Sequence, residues 1–289
     1  MQAFQYARPQ TVAEVLDLLA EHGAGARILA GGTDLVIGMR NGEIRPAVVI
    51  DLKRVAGLAP SLRLVDGSLH LSASAVMREV EQSTEVRAHF PALAEAAAWV
   101  GSVQIRNRAT IVGNICNASP AADTAPPLLV YGAVVLAASP AGERRIPIDD
   151  FFVKSGVTTL NPGELVTGIQ VPLPEKAMGA AYTRLTRRRG TDLASITLCV
   201  GVDEAGVTRL SYGSVGPRPV LVVDESGTLA DPAAPDEAKA TVLEEMLAGA
   251  SPSPRSMRAG PEYRLAMLRV LGRRALQTAI ERLAKGQAR

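Results

Sequence analysis

The first clear periodicity is "TVAEVLDLLAEHG", where Val12, Val15, Leu16 and Leu19 recur at helical spacing. Thr11 is placed to cap this helix, Glu14 to complete a capping box and Gly23 to stop it. A strand is then predicted at about Arg27 to Ala30, followed by two adjacent glycines, Gly31 and Gly32, a short helix, and a second strand over "AVVIDL", Ala47 to Leu52. This alternation reads as a small α/β unit. From Leu62 the period changes to two, because "LRLVDGSLHLSAS" alternates on both sides of Asp66-Gly67, a hairpin signal. A helical region is predicted from about Val76 to Gly101, clearest in "FPALAEAAAWVGS", where Trp99 reads as core packing of its helix. Residues Thr110 to Pro127, rich in glycine, asparagine and proline, are predicted to be irregular, with strands following at "GAVVLAA" and "ELVTGIQVP".

"PLPEKAMG", Pro172 to Gly179, breaks regular structure and reads as a linker. Beyond it, "YTRLTRR", "ASITLCVGVDEAGVTRLSYGS" and a turn at Asp203 to Gly206 predict an antiparallel meander, closed by helices near Asp236 to Ala250 and Pro261 to Lys285. The expected division is 1–52, 53–175 and 176–289, an α+β chain with no internal repeat at a fixed period.

Composition narrows the chemistry. With 289 residues, 47% hydrophobic and 21% charged, the chain can bury a sizeable core. Its 31 basic and 29 acidic residues leave a net charge of +2, so no global field favours nucleic acid or an anionic membrane. No leader-like start and no uninterrupted apolar span are visible, which predicts a cytoplasmic protein without a membrane span. The two cysteines, Cys116 and Cys199, fit a reducing compartment and are too few for an all-cysteine iron-sulfur cluster. His22, His70 and His89 have no partners at metal-ligand spacing, so no metal site is expected.

At the end of a strand, Gly31 and Gly32 can take positive φ and expose consecutive N–H groups as a concave anion site, with Thr33 capping the next helix. No Gly-Lys-Ser/Thr follows, which argues against a mononucleotide P-loop and for a cofactor diphosphate. Alone, such a pair is more often a plain tight turn. The second stretch, "ATIVGNICNASPAADTAPPLL", supplies the hydroxyl of Thr110, the bare backbone of Gly113, the amides of Asn114 and Asn117, and the groups of Ser119 and Asp123 among apolar neighbours. Such a loop can hold the hydroxyls of a dinucleotide with Asp123 as acceptor, or form turns that satisfy their own backbone.

In order and separation, "RILAGGTDLVIGMR", "ATIVGNICNASPAADTAPPLLVYGA", "GELVTGIQVPLP" and "YTRLTRRRGTDLA" resemble the FAD-binding subunit of the molybdenum hydroxylases, the xanthine dehydrogenase and aerobic carbon monoxide dehydrogenase family, over nearly the whole chain. The resemblance implies two FAD-binding subdomains of the vanillyl-alcohol-oxidase (PCMH) type, followed by a C-terminal antiparallel sheet with helices. It places the FAD diphosphate against Leu29, Ala30, Gly31, Gly32, Thr33 and Asp34, with Arg27 and Ile28 leading in, and again against Thr110, Ile111, Gly113 and Asn114. It further assigns cofactor hydroxyls to Asp123, apolar contacts with the flavin to Val100 and Val166, and a neighbouring loop to Cys116 and Asn117. The family often has a lysine just after the aromatic of the "YTRLTRR" strand; here Tyr182 is followed by Thr183 and Arg184, and Arg184 is the basic candidate. The run Arg187 to Gly190, leading to Asp192, is either a solvated strand end or, by resemblance, a loop controlling access to the flavin.

No Ser/His/Asp, Cys/His or paired-carboxylate motif predicts substrate chemistry in this chain, so FAD would carry it. The resemblance implies a molybdopterin-binding large subunit, a small subunit with two [2Fe-2S] clusters, a dimer of heterotrimers, and electron flow through this FAD to NAD, oxygen or a quinone. Two cysteines argue against the variant whose flavin subunit carries its own cluster loop. The alternatives are a self-sufficient FAD-dependent oxidase and a non-catalytic nucleotide-binding module.

Overall fold

The computed structural model describes residues 2–287. The first sheet is parallel, with β1 (Gln5–Ala7) and β2 (Ala26–Leu29) flanking β3 (Val48–Asp51). Between β1 and β2 runs α1 (Val12–His22), whose buried Val15 and Leu16 face the core. Thr11 Oγ1 accepts from Glu14 N–H at 3.2 Å, while the Glu14 carboxylate reaches one residue past the cap, to Gln10 N–H at 2.6 Å. Gly23, at φ 47°, stops the helix. A short helix, α2 (Leu35–Arg40), joins β2 to β3.

The second sheet is antiparallel. Strands β4 (Leu62–Val65) and β5 (Ser68–Ser72) pair around Asp66 and Gly67, whose φ values of 49° and 70° are those of the tight hairpin turn the sequence predicts. After this hairpin the chain first makes four short helices, α3 (Met77–Gln82), α4 (Thr84–His89), α5 (Pro91–Trp99) and α6 (Val103–Arg106).

Residues 110–127 depart from the irregular structure expected. They form α7 (Ile111–Cys116) and the first half of α8 (Ala125–Val130). The hydroxyl of Thr110 caps α7 through Gly113 N–H at 3.0 Å. Pro126 and Pro127 occupy the first turn of α8, where a missing N–H costs no intrahelical bond. The turn-forming residues of this stretch serve as helix starts.

Strands β6 (Val134–Ser139), β7 (Gly142–Pro147) and β10 (Leu165–Pro172) complete this sheet, in the order β4-β5-β10-β6-β7. Between β7 and β10 lie α9 (Ile148–Phe151) and the small ladder of β8 (Phe152–Lys154) with β9 (Val157–Thr158). The linker expected at Pro172 to Gly179 is shorter, because β10 runs through Pro172 and β11 (Met178–Leu185) already holds Met178 and Gly179.

The third sheet is a meander of β11, β12 (Ile196–Asp203), β13 (Thr208–Gly213) and β14 (Val220–Asp224), backed by α10 (Asp236–Leu247) and α11 (Pro261–Gln287). Every residue of β12 is buried. That is why "ITLCVGVD" is apolar apart from Thr197 and its last residue: one face packs on the core containing Tyr131, Ala180, Tyr182 and Cys199, the other on a second core with Ala181, Leu198, Val200 and Leu268. At Gly179 the backbone of α11 replaces a side chain: a Cβ there would overlap the Ala279 carbonyl and lie 3.0 Å from Leu283 Cα. The double burial turns Tyr182 toward the N-terminal part of the chain.

Candidate functional site

The residues between β2 and α2 form a row of free donors. Gly32 takes φ 77°, a conformation that favours glycine, and its carbonyl accepts from Val36 N–H at 3.0 Å. Gly31 does not take positive φ, contrary to expectation; it is required by proximity. A Cβ at Gly31 would overlap the Arg108 carbonyl, 2.8 Å from its carbon, and lie 3.0 Å from Ala109 Cα. The two loops, nearly eighty residues apart in sequence, are thus pressed together. Among the described residues, no acceptor takes the N–H of Gly31, Gly32, Thr33 or Asp34. Thr33 does not cap α2; the cap position belongs to Asp34, whose side chain makes no capping bond.

The second loop is more self-contained. Ile111 N–H donates to Ala75 O at 3.1 Å, Gly113 N–H to Thr110 Oγ1 and Asn114 N–H to Thr110 O, each at 3.0 Å. From Thr110 to Asn114, only Thr110 and Val112 keep a free N–H among the described residues. The side-chain Oδ1 of Asn114 accepts from the Thr124 hydroxyl at 2.7 Å, tying α7 to the residue after Asp123.

Asp123 is the centre of a buried network. Its Oδ1 accepts from Tyr182 Oη at 2.6 Å, and Arg184 Nη1 donates to both carboxylate oxygens at 2.9 and 3.0 Å. Burial is the largest influence on the carboxyl and moves its pKa up, against Arg184 and Tyr182, which hold the charged form. Burial, with Asp123 nearby, likewise drives the Tyr182 phenol well above its ordinary range. The Arg184 side chain is only 4% exposed. It donates from Nη1 to Trp99 O at 3.1 Å and from Nη2 to Asp192 O at 2.6 Å, yet its buried Nε has no partner. An orphaned buried donor costs of order 1–3 kcal/mol, and this one is available to an acceptor supplied from elsewhere.

The arginine run is organised rather than merely solvated. Arg187 forks onto Asp192 at 2.8 and 3.2 Å, and that pair holds the Asp192 pKa down at about 2. Arg188 donates to Thr191 O at 3.0 and 3.2 Å, closing the loop on itself.

Other residues named from sequence fall less centrally. Arg27 donates to Ala24 O and Ala26 O at 2.8 and 2.7 Å, turned back toward the start of β2. Ile28 packs half-buried on the core, and Ile111 is buried within it, so Ile111 offers the site no side chain. Val166 is buried beside a bulge in β10, the strand against which α7 packs. Val100 is half-buried, its carbonyl accepting from Arg106 Nη1 at 3.3 Å. Cys116 ends α7; burial pushes its thiol pKa up to about 12, so it is not a thiolate at neutral pH. Asn117, next in the chain, is exposed.

Sequence reasoning misplaced Trp99. It is 50% exposed, with the Arg184 guanidinium 5.5 Å from its ring centroid. Trp99 is the last residue of α5, whose buried side is made by Ala92, Leu93, Ala94, Ala96 and Ala97. Tyr182 was noted only as a strand aromatic.

A row of free N–H groups, a cradle that a single methyl would close, and an unpartnered buried guanidinium nitrogen fit an anionic, hydroxyl-rich dinucleotide such as FAD. By contrast, a cleft of about 710 Å³ between α10 and α11, lined by Leu229, Leu243, Arg273 and Ile280, carries no orphaned buried polar group. Among the described residues, no helix is long and apolar enough to cross a membrane.

Comparison with known proteins agrees with this geometry. Residues 2–174 match the family described as FAD binding domain in molybdopterin dehydrogenase, and residues 180–279 the CO dehydrogenase flavoprotein C-terminal domain. The chain is 31% identical to the 6-hydroxypseudooxynicotine dehydrogenase complex subunit alpha of Paenarthrobacter nicotinovorans, covering 97% of this chain and 95% of that one. It is 29% identical to the xanthine dehydrogenase FAD-binding subunit of Escherichia coli O157:H7, covering 95% of each. A solved carbon monoxide dehydrogenase structure from Hydrogenophaga pseudoflava superimposes with a TM-score of 0.89 at 30% identity, over 97% of this chain and 98% of that one. A PCMH-type fold with a row of free N–H groups at the end of β2 thus meets two family models that together span most of the sequence, and the chain belongs to the FAD-binding flavoprotein subunits of the molybdenum hydroxylases.

Proposed function

We propose that this chain is the electron-transfer subunit of a cytoplasmic molybdenum hydroxylase, taking electrons from the [2Fe-2S] clusters of a small subunit and delivering them to NAD, oxygen or a quinone. A molybdopterin-binding large subunit would oxidise the substrate, and the assembly would be a dimer of heterotrimers. The observation that carries the reading is the contact of Gly31 with the Arg108–Ala109 backbone, which brings the free N–H groups of residues 31–34 beside the remote loop that leads into Thr110.

Within that reading, 1–52 and 53–175 are the FAD-binding subdomains and 176–289 is the C-terminal domain. Bound FAD supplies the capacity to take electrons singly and release them in pairs. The residues of the chain bind and orient it. The free N–H groups of Gly31 to Asp34 meet the diphosphate, supplemented by those of Thr110 and Val112. Asp123 holds Arg184 in place, and Arg184 offers Nε–H to the cofactor. The loop stapled by Arg187 and Asp192 borders the flavin and limits what reaches it.

Purification of the native complex tests this. The chain should co-migrate with a molybdenum-containing large subunit and a cluster-bearing small subunit, and substrate should bleach the flavin only when both are present. A chain that is reduced by substrate and reoxidised by oxygen on its own would be a self-sufficient oxidase instead.

A further inference from the structure

Trp99 is the sole tryptophan of the chain and has no place in the packing predicted for it. It holds Arg184 twice over: its carbonyl accepts from Nη1 at 3.1 Å, and its ring lies under the guanidinium at 5.5 Å. The other contacts of Arg184 fix the rest of the fork, Nη1 to Asp123 and Nη2 to Asp192 O, and leave only Nε without a partner. This assembly continues into both glycine loops. Asp123 precedes Thr124, which donates to Asn114 of α7, and Val100, next to Trp99, is bonded by Arg106, two residues before the Arg108 carbonyl that Gly31 abuts.

We propose that Trp99 is a positioning residue for the cofactor site, its indole face fixing the Arg184 guanidinium so that the unpartnered Nε–H is presented to bound FAD. The inference rests on the cofactor reading above. A half-exposed aromatic contributes little to the fold, whereas a cation over an indole face is held in one orientation and loses less freedom when a ligand binds. Leucine at this position keeps the apolar bulk and the main-chain carbonyl but removes the π face; phenylalanine keeps the face.

The test uses the full-length chain stripped of flavin and titrated with FAD. For Trp99→Leu, the dissociation constant should rise about three- to tenfold, the range a partly desolvated cation–π contact spans. The visible circular dichroism band of the bound flavin should weaken, and the melting temperature of the FAD-free protein should fall by no more than about 2–4 °C, the loss of one such contact. Trp99→Phe should restore affinity and dichroism. Wild-type affinity and dichroism in Trp99→Leu would overturn the proposal, as would equal impairment of both variants. A wild-type chain that takes up no FAD at all would bring down the cofactor reading itself, a failure visible before any variant is made.

Discussion

Gly31→Ala is the sharpest perturbation of the cleft. The added methyl carbon would stand 2.8 Å from the Arg108 carbonyl carbon and 3.0 Å from Ala109 Cα. Ordinary carbon contacts lie at about 3.5–4.0 Å, so the two loops must separate by about 1 Å. Both neighbours are backbone atoms, and Ala109 O is held by Met77 N–H at 2.8 Å, so no side chain can rotate away. Overpacking of this kind costs about 1–3 kcal/mol, and misaligned donors lose part of their grip on the diphosphate. FAD affinity, measured by calorimetric titration of the stripped chain, should fall about 10- to 100-fold, equivalent to about 1.4–2.8 kcal/mol. Gly260→Ala serves as the control, because its methyl meets nothing within 4 Å. Wild-type FAD affinity in Gly31→Ala, with the fold intact by circular dichroism, would refute the argument that loop contact builds the site.

Three further outcomes follow from individual contacts. Arg282 donates to Ala180 O at 2.6 Å and pairs with Glu95, whose other oxygen accepts Tyr182 N–H at 3.2 Å, so Arg282→Ala unties α11 from α5 and β11; denaturant titration should show a loss of about 1–2 kcal/mol, and an unchanged midpoint would contradict it. Cys116, half-buried and with its pKa pushed up to about 12, carries about one thiolate in ten thousand at a pH of about 8, so iodoacetamide should leave it unlabelled over hours, and rapid labelling would contradict the raised pKa. The folded pKa of Asp192 is depressed to about 2, so its pairing with Arg187 is complete above the ordinary carboxylate range and is lost as pH falls through about 2; iodide quenching of flavin emission should therefore be flat between about pH 5 and 9, and Asp192→Asn should increase it.

Much of this was legible in the sequence because the signals were local. The Asp66-Gly67 hairpin, the Thr11 cap and the final helices depend on residues within a few positions of one another. The donor row was likewise readable at the strand end, where Gly32 alone needs the positive φ. What was illegible came from distance. The need for glycine at position 31 arises from Arg108, and the saturation of Asp123 by Tyr182 and Arg184 arises from a different sheet. Prolines and asparagines of residues 110–127 looked like loop because turn chemistry and helix-start chemistry use the same side chains.

Hydrogen–deuterium exchange of the chain with and without FAD tests the convergence of the two loops most directly. Peptides covering Gly31 to Asp34 and Thr110 to Val112, which hold the unpartnered N–H groups, should both gain protection on FAD binding, and with the same FAD concentration dependence. Protection confined to one segment, or to neither, would contradict a single cofactor held between them.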